Sequence, residues 1–576
     1  MRLPIWAWKT TLTRLGFRVT KHPYDRQRFH RHPTLEVLEP KVLMTVSAPT
    51  FVSGLLTVIS DSGSDTITIT SSNVGGTDYV TVNGTVGAVA AASVTGIVVH
   101  GGGGDDTIDL SGVLSTKYTS LTSVAAYGEA GNDTITGTSL ADTLTGGGGN
   151  DTLVGGAGND TYEFTSYLDG TDTISESSGG GTDTLDFSGY SGPAGIAYLT
   201  VDLASGFAED DHGGAHTLAT FSSPTNEIEN VVGSQSDDTL IGNSLANVLS
   251  GGDGSDYLDG GAGNDTLSGG DGNDTYQFTG SGNLGTDSIV ENTGEGADTI
   301  DFSGFGDTAS AGVSFNLNSS SWSFSNSHVS LSLSIGSAEI ENVFGTAYDD
   351  TLTGNSLDNG LMGGGGNDTL IGNAGDDYLE GDDGDDTYKF VGTVEQGTDT
   401  VDDTSGTDTL DFSSLNLGAG VTVSLSPSAP HYYPEQVVSH SGKQLTIDGL
   451  HDSSIENVIG TQYADSITGN ALANTLTGGG GNDTLVGGAG NDTYVYTNYL
   501  DGTDTISESS GGGTDTLDFS GYAGYHGGAA YLTVDLLRLR TGPRKRGRSL
   551  SWRASYSRLV EYVAYLSRSR PPRWVW

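Results

Sequence analysis

The sequence predicts an all-β chain, a stack of short strands wound into solenoid coils. Three observations carry that expectation. A nine-residue unit, G-G-x-G-[N]-D-T-x-x, recurs in tandem at Gly146–Glu163, Gly251–Gln277, Gly363–Lys389 and Gly478–Val495, with a single early copy at Gly101–Asp109. Most of its positions are turn formers, and its last three carry one large apolar side chain, as in Leu144, Leu153 and Tyr162. Self-similarity at a fixed period marks a repeat architecture, in which a unit buries its apolar side chain only by stacking on its neighbours. A Gly/Asp/Thr linker would not keep a nine-residue register with an aliphatic at one phase.

Each element of a coil follows from its residues. Glycine at the first, second and fourth positions permits positive φ and lets other groups approach the backbone closely. Thr-Leu-Val or Thr-Ile-Thr is too short for a helix turn and suits a strand of about three residues. Two units therefore close one coil: loop, strand, loop, strand. Residues eighteen apart then lie above one another. The sixth-position carboxylates align as Asp133/Asp151, Asp142/Asp160, Asp238/Asp256, Asp256/Asp274, Asp350/Asp368, Asp368/Asp386 and Asp465/Asp483. On this register Asp133 ends a stack, whereas Asp256 and Asp368 each sit between two neighbours. Stacked carboxylates repel, and a hard cation seeking six to eight oxygens can bridge them with carbonyls of the bent loops. The chain has no Cys, and no His lies in the repeats, so a soft cation is excluded.

The unit resembles the hemolysin-type calcium-binding (RTX) repeat family, whose pattern is G-G-x-G-x-D-x-U-x with U large and apolar. The resemblance implies parallel β-roll modules in tandem, separated by β-rich connectors, with Ca2+ ions between successive loops along an edge. It implies that the sixth-position Asp supplies carboxylate oxygen and the loop glycines supply carbonyls. In this chain the positions are Asp106, Asp133, Asp142, Asp151, Asp160, Asp238, Asp256, Asp265, Asp274, Asp350, Asp368, Asp377, Asp386, Asp465, Asp483 and Asp492. Asn247, Asn359 and Asn474 stand at three further sixth positions. Their neutral amides are expected to bind more weakly or to serve only the fold.

Composition agrees with a thin-cored solenoid. Gly contributes 90 residues and Pro 13, and hydrophobic residues make up 34%. The formal net charge of −50 hides an asymmetry. Met1–Thr45 holds 9 Lys+Arg and Arg538–Trp576 holds 11, while the span between them has only Lys117, Lys389 and Lys443 against 69 Asp+Glu, a net of 3 − 69 = −66. Nucleic acid is not an expected partner for such a body. So acidic a chain with so little apolar surface should be loose without cations. No run of 18 apolar residues exists to span a membrane.

In chain order, residues 1–45 form a basic leader expected to be disordered. Its end, Leu38-Glu39-Pro40-Lys41-Val42-Leu43-Met44, resembles the Leu-Glu-Pro-Arg-x-Leu-Leu tag near the N-termini of large bacterial surface proteins, with Lys for Arg and Met for the last Leu. Residues 46–127 alternate as strands do and lead into the first roll. Modules follow at 128–232, 233–344, 345–459 and, incomplete, 460–536. Each opens with degenerate units such as Gly233-SQSDDTLI and closes with Thr-Tyr-x-[Phe/Tyr], at Tyr162/Phe164, Tyr276/Phe278, Tyr388/Phe390 and Tyr494/Tyr496. These aromatics are expected to cap the open end of each core. Connectors then repeat Gly-Thr-Asp-[Thr/Ser]-[Ile/Val], Asp-Thr-[Leu/Ile]-Asp-Phe-Ser and Ile-Glu-Asn-Val, the last at Ile228, Ile340 and Ile455.

No residue set points to catalysis. Neither His-Glu-x-x-His nor Gly-x-Ser-x-Gly occurs. His212 and His216 are four apart, but the glycines between them argue against a helix that would aim both at a metal. The reading is a non-enzymatic calcium-binding protein of the bacterial exterior or cell surface, structural or adhesive, with cell-surface glycans or other surface proteins as partners. Two alternatives stand: a secreted β-solenoid enzyme acting on polysaccharide, and a secretion or chaperoning fragment of a larger effector.

The tail carries a separate expectation. Residues 140–190 and 472–522 are identical except at 142/474, 163/495, 164/496 and 166/498. The likeness continues through Tyr198–Leu203 and Tyr531–Leu536 and then stops. Leu-Arg-Leu-Arg-Thr-Gly-Pro-Arg-Lys from Leu537, written in one allowed set of codons and shifted in frame, reads Ala-Ser-Gly-Phe-Gly-Gln-Asp-His-Gly. That is close to Ala204–Gly213 of the first module. Residues 537–576 are therefore read as frame-shifted, disordered and without function, rather than as a basic tail for anionic membrane or nucleic acid. Resequencing the gene across codon 537 is expected to reveal a slipped frame. An unbroken in-frame read, with the same basic tail in an independent isolate, would restore the binding-tail reading.

Overall fold

The structure is a computed structural model. It describes residues 46–521, apart from 177–178, 193–197, 211–215, 222–226, 293, 307–311, 326–328, 336–339, 394–396, 404, 426–435, 441–442, 449–454, 498–500 and 509–512. The leader with its tag, the tail at 537–576 and the side chains of His212 and His216 lie outside the described residues.

Among the described residues the chain is β throughout, with helical geometry confined to the three-residue turn Ala91–Ser93. Repeat strands are short because glycine loops bound them on both sides, as at Thr152–Val154. They pair in parallel, one coil apart. A single interior column runs Val58, Val99, Ala126, Leu144, Tyr162, Leu185, Val231, Leu249, Leu267, Ile289, each residue in register with the next. The facing column runs Ile67, Ile108, Ile135, Leu153, Ile174. Every member of both columns is buried. Burial of each large aliphatic contributes about 1.5–3 kcal/mol, and only while its neighbours are stacked.

The stack crosses the module boundaries. Residues 46–127 already form its first coils. In the first connector one face continues directly, from Asp183–Asp186 through Ile228–Val232 to Val248–Asp253. On the other face a meander is inserted: His216–Phe221 pairs in parallel with Asp172–Ser175, and Leu199–Asp202 with Thr239–Ile241, joined through antiparallel Phe207–Asp210. The second and third connectors also insert strands on one face, Val329–Ile335 in parallel with Gly282–Ile289 and Lys443–Asp448 in parallel with Gly397–Asp402, while Ile340–Phe344 and Ile455–Ile459 continue the other face. The recurring Ile-Glu-Asn-Val motif is thus the strand that carries the roll past each insertion.

Two expectations about the rolls are corrected by this continuity. The closing aromatics do not cap an open end. Tyr162 lies between Leu144 and Leu185, Tyr276 between Leu258 and Ile300, and Tyr388 between Leu370 and Leu410. The Phe that follows stacks on the Phe of Asp-Thr-Leu-Asp-Phe-Ser in the next coil: Phe164 on Phe187 at 4.8 Å and Phe390 on Phe412 at 4.8 Å between ring centroids. Nor does Asp133 end a stack, because coils bearing Asp65 and Asp106 lie below it.

Candidate metal centre

The sixth-position carboxylates form ladders. The backbone N–H of each donates to the Oδ1 of the one in the next coil: Asp65 to Asp106, Asp106 to Asp133, Asp133 to Asp151, and Asp151 to Asp172, at 2.6–2.9 Å. All seven pairs aligned by the eighteen-residue register make this bond. The bond fixes the carboxylate plane and uses one oxygen.

What becomes of the other oxygen divides the sixteen aspartates. In Asp106, Asp133, Asp151, Asp160, Asp256, Asp265, Asp274, Asp368, Asp377, Asp386, Asp483 and Asp492, Oδ2 is buried and has no hydrogen-bond partner. In Asp142, Asp238, Asp350 and Asp465, Oδ2 accepts the N–H of the unit's second residue, Thr138, Ser234, Thr346 or Thr461, at 2.5–2.7 Å, and the hydroxyl of that residue adds a further bond.

The second position decides which state occurs. In all twelve open units it has positive φ: Gly102, Glu129, Gly147, Gly156, Gly252, Gly261, Gly270, Gly364, Asn373, Asp382, Gly479 and Gly488. In the closed units it does not. Glycine adopts that conformation without cost, and Asn and Asp tolerate it better than most residues. Threonine does not adopt it readily, and its N–H turns onto the carboxylate instead.

The first-position glycine serves close approach rather than positive φ. Gly146 lacks positive φ. A Cβ there would collide with Asp151 Oδ2. At Gly128 a Cβ would collide with Asp133 Oδ2 and come within 2.5 Å of the Gly146 carbonyl oxygen. An unpaired carboxylate oxygen and a carbonyl oxygen of the adjacent coil therefore face one small space that glycine keeps clear. The fit to a hard cation rests on that cradle, the orphaned oxygens and the all-oxygen donor set. Among the described residues Lys117 pairs with Asp78 and Lys389 with Asp411, both outside the ladders.

The asparagines complete the comparison. Asn247, Asn359 and Asn474 accept the second-position N–H on Oδ1 and donate Nδ2–H to the carbonyls of Glu229, Glu341 and Glu456 at 2.9–3.0 Å. The amide satisfies by itself what a carboxylate leaves open.

Sequence reasoning missed the ladder's passage through the connectors. Asp172, Asp183, Asp287, Asp298, Asp399, Asp408, Asp504 and Asp515 take the next rungs. Glu229, Glu341 and Glu456 then accept from Asp183, Asp298 and Asp408. The signal was the Asp-Thr-[Ile/Leu] inside Gly-Thr-Asp-Thr-Ile and Asp-Thr-Leu-Asp, which copies positions six to eight. Loops longer by three to six residues hid its register.

A family model described as the RTX calcium-binding nonapeptide repeat matches residues 98–112, 127–162, 241–276, 335–356, 354–388 and 459–494. The chain carries RTX calcium-binding nonapeptide repeats. The matched stretches contain the twelve open aspartates. No curated protein matches the chain. Among the described residues no helix is long and apolar enough to cross a membrane.

Burial sets the electrostatics of these RTX loops. It pushes Asp151 and Asp160 up to about 7 and Asp256, Asp368 and Asp483 up to about 8, opposed by the N–H each accepts and reinforced by neighbouring carboxylates. A carboxyl raised in the folded state lends the metal-free fold stability that is full below the unfolded value near 4 and is lost as pH rises through the folded value. The metal-free chain is therefore expected to lose β-structure progressively as pH rises from about 4 to 8. Calcium affinity should rise across the same window as protons leave the ligands. Far-ultraviolet circular dichroism of metal-stripped protein at pH 5 and pH 8 checks this, and equal structure at both would contradict it.

Proposed function

We propose that the chain is a secreted or cell-surface calcium-binding protein, structural or adhesive and without catalytic activity, whose rolls fold as calcium enters the loops. The observation that carries this reading is the set of twelve buried, unpaired Oδ2 atoms. A buried polar oxygen without a partner costs about 1–3 kcal/mol, and a buried charge costs more. Twelve such deficits would outweigh the marginal stability of most domains. A calcium ion between coils relieves two carboxylates at once and takes carbonyl oxygen from the glycine loops. It also offsets the repulsion within a body carrying −66.

A location outside the cell follows from the same chemistry. Modules that rely on calcium for their fold suit surroundings where the ion is plentiful, and extracellular calcium modules bind with dissociation constants of about 10⁻⁴–10⁻³ M. With no Cys in the chain, bound calcium would be the cross-link that holds the coils together. An adhesive or structural role fits a body whose described residues are dominated by the aspartate ladders and the buried aliphatic columns.

Calcium titration of the full chain at neutral pH is expected to raise β-structure cooperatively between micromolar and millimolar ion. Each site that binds only the folded form adds roughly 2.7 kcal/mol at about a hundred times its dissociation constant. A far-ultraviolet spectrum indifferent to excess chelator would overturn the folding claim. Turnover of a polysaccharide in a glycan-degradation screen would overturn the non-enzymatic one.

A further inference from the structure

The last strong repeat of every module meets a residue that the repeat pattern does not contain. Four positions after Asp172, Asp287, Asp399 and Asp504 a repeat would place its first-position glycine, which must be small because a carboxylate points at it. The connectors place an acid there instead: Glu176, Glu291, Asp403 and Glu508. Each joins two ladder aspartates. One carboxylate oxygen from each of Asp160, Glu176 and Asp183 lies within 4.8 Å of the others, and the same holds for Asp274/Glu291/Asp298, Asp386/Asp403/Asp408 and Asp492/Glu508/Asp515.

Independent observations show that these groups converge on something other than each other. Asp160, Asp274, Asp386 and Asp492 are at most 1% exposed, and the Oδ2 of each has no hydrogen-bond partner. Asp183 Oδ2 and Asp408 Oδ2 are likewise buried and unpaired. These oxygens aim inward: a Cβ built on Gly155 would collide with Asp160 Oδ2 and Glu176 Oε1 and come within 2.5 Å of the Tyr162 hydroxyl oxygen. A Cβ on Gly381 would meet Asp386 Oδ2 and the Tyr388 hydroxyl oxygen, and one on Gly487 would meet Asp492 Oδ2 and the Tyr494 hydroxyl oxygen.

The tyrosine explains why the closing unit replaces its aliphatic. The Tyr162, Tyr388 and Tyr494 hydroxyls donate to Glu176, Asp403 and Glu508. The Tyr162, Tyr276 and Tyr388 hydroxyls accept the N–H of Gly155, Gly269 and Gly381 at 2.6–2.8 Å. Leucine at the same position would fill the column but could not donate to the added acid at Glu176, Asp403 or Glu508.

We propose that each module ends in a three-carboxylate calcium site, different in kind from the repeat sites and tighter than they are. It deepens the calcium reading and rests on it. An open repeat loop offers an orphaned oxygen from each ladder carboxylate together with neutral carbonyls. The terminal cluster adds a third carboxylate at the first position, and affinity for calcium rises with the number of charged ligands. The four terminal sites should fill first, at calcium concentrations about tenfold or more below those that load the repeats. Loading them would fix the coil from which each connector departs.

The test compares the full chain with a variant carrying Glu176→Gln, Glu291→Gln, Asp403→Asn and Glu508→Gln, which keep size and hydrogen-bonding capacity and remove the third charge. Radiocalcium flow dialysis should show the wild type losing its tightest class of about four ions in the variant, with the weaker class unchanged. Terbium luminescence excited through tyrosine should fall at least several-fold in the variant, since Tyr162, Tyr388 and Tyr494 lie against these sites. Glu291→Gln alone, expected to remove a single tight ion, keeps the test open if the fourfold change prevents folding. Unchanged tight binding in both variants would overturn the proposal while leaving the repeat sites standing. A wild type that binds no calcium would overturn the reading on which it rests.

Discussion

The structure depends on one contact repeated along its length: a backbone N–H donating to the carboxylate of the aspartate one coil above. The bond registers coil on coil, because it joins equivalent positions and has no alternative partner within its own loop. It also creates a problem. By holding the carboxylates inside the stack, it leaves the second oxygen of the twelve open aspartates buried without a partner. The fold thus sets its register with groups it cannot satisfy alone, and the cation completes what the register begins.

The second-position residue modulates this dependence one loop at a time. Positive φ at Gly252 or Gly364 leaves the carboxylate open, while Thr138, Ser234, Thr346 and Thr461 close it with their own N–H and hydroxyl. In the three modules that open at Gly233, Gly345 and Gly460 the closed aspartates Asp238, Asp350 and Asp465 come first and open ones follow, so these modules begin with coils that satisfy themselves and continue with coils that need an ion. The first module instead opens on the open Asp133. Asn247, Asn359 and Asn474 are the limiting case, in which the amide nitrogen supplies the donor a carboxylate lacks. This arrangement gives an acidic body of −66 between the basic termini a place to begin folding before every site is filled.

Much of the architecture was legible in the sequence, because the nine-residue period fixes both the coil and the vertical neighbours. The pairs Asp238/Asp256 and Asp350/Asp368 follow from counting eighteen. Three features were not legible, each for a physical reason. The ladder's course through Asp172 and Asp183 was hidden by loops that lengthen the coil without altering its register. The division of open from closed aspartates depends on a backbone angle that residue type alone does not fix: Asn373 takes positive φ beside open Asp377, whereas Asn243 does not and turns its N–H onto Asn247. Tyr162 looked like a cap because it ends a motif, whereas its ring continues the column and its hydroxyl reaches the edge.

The central claim is that an open second oxygen, and not the mere presence of a sixth-position side chain, marks a calcium-binding loop. Anomalous diffraction from crystals of the full chain grown in calcium tests it most directly. Calcium peaks are expected beside Oδ2 of open aspartates such as Asp151, Asp256 and Asp368, and none beside the amides of Asn247, Asn359 and Asn474. Peaks of equal strength at the asparagine loops, or none at the open aspartates, would contradict it.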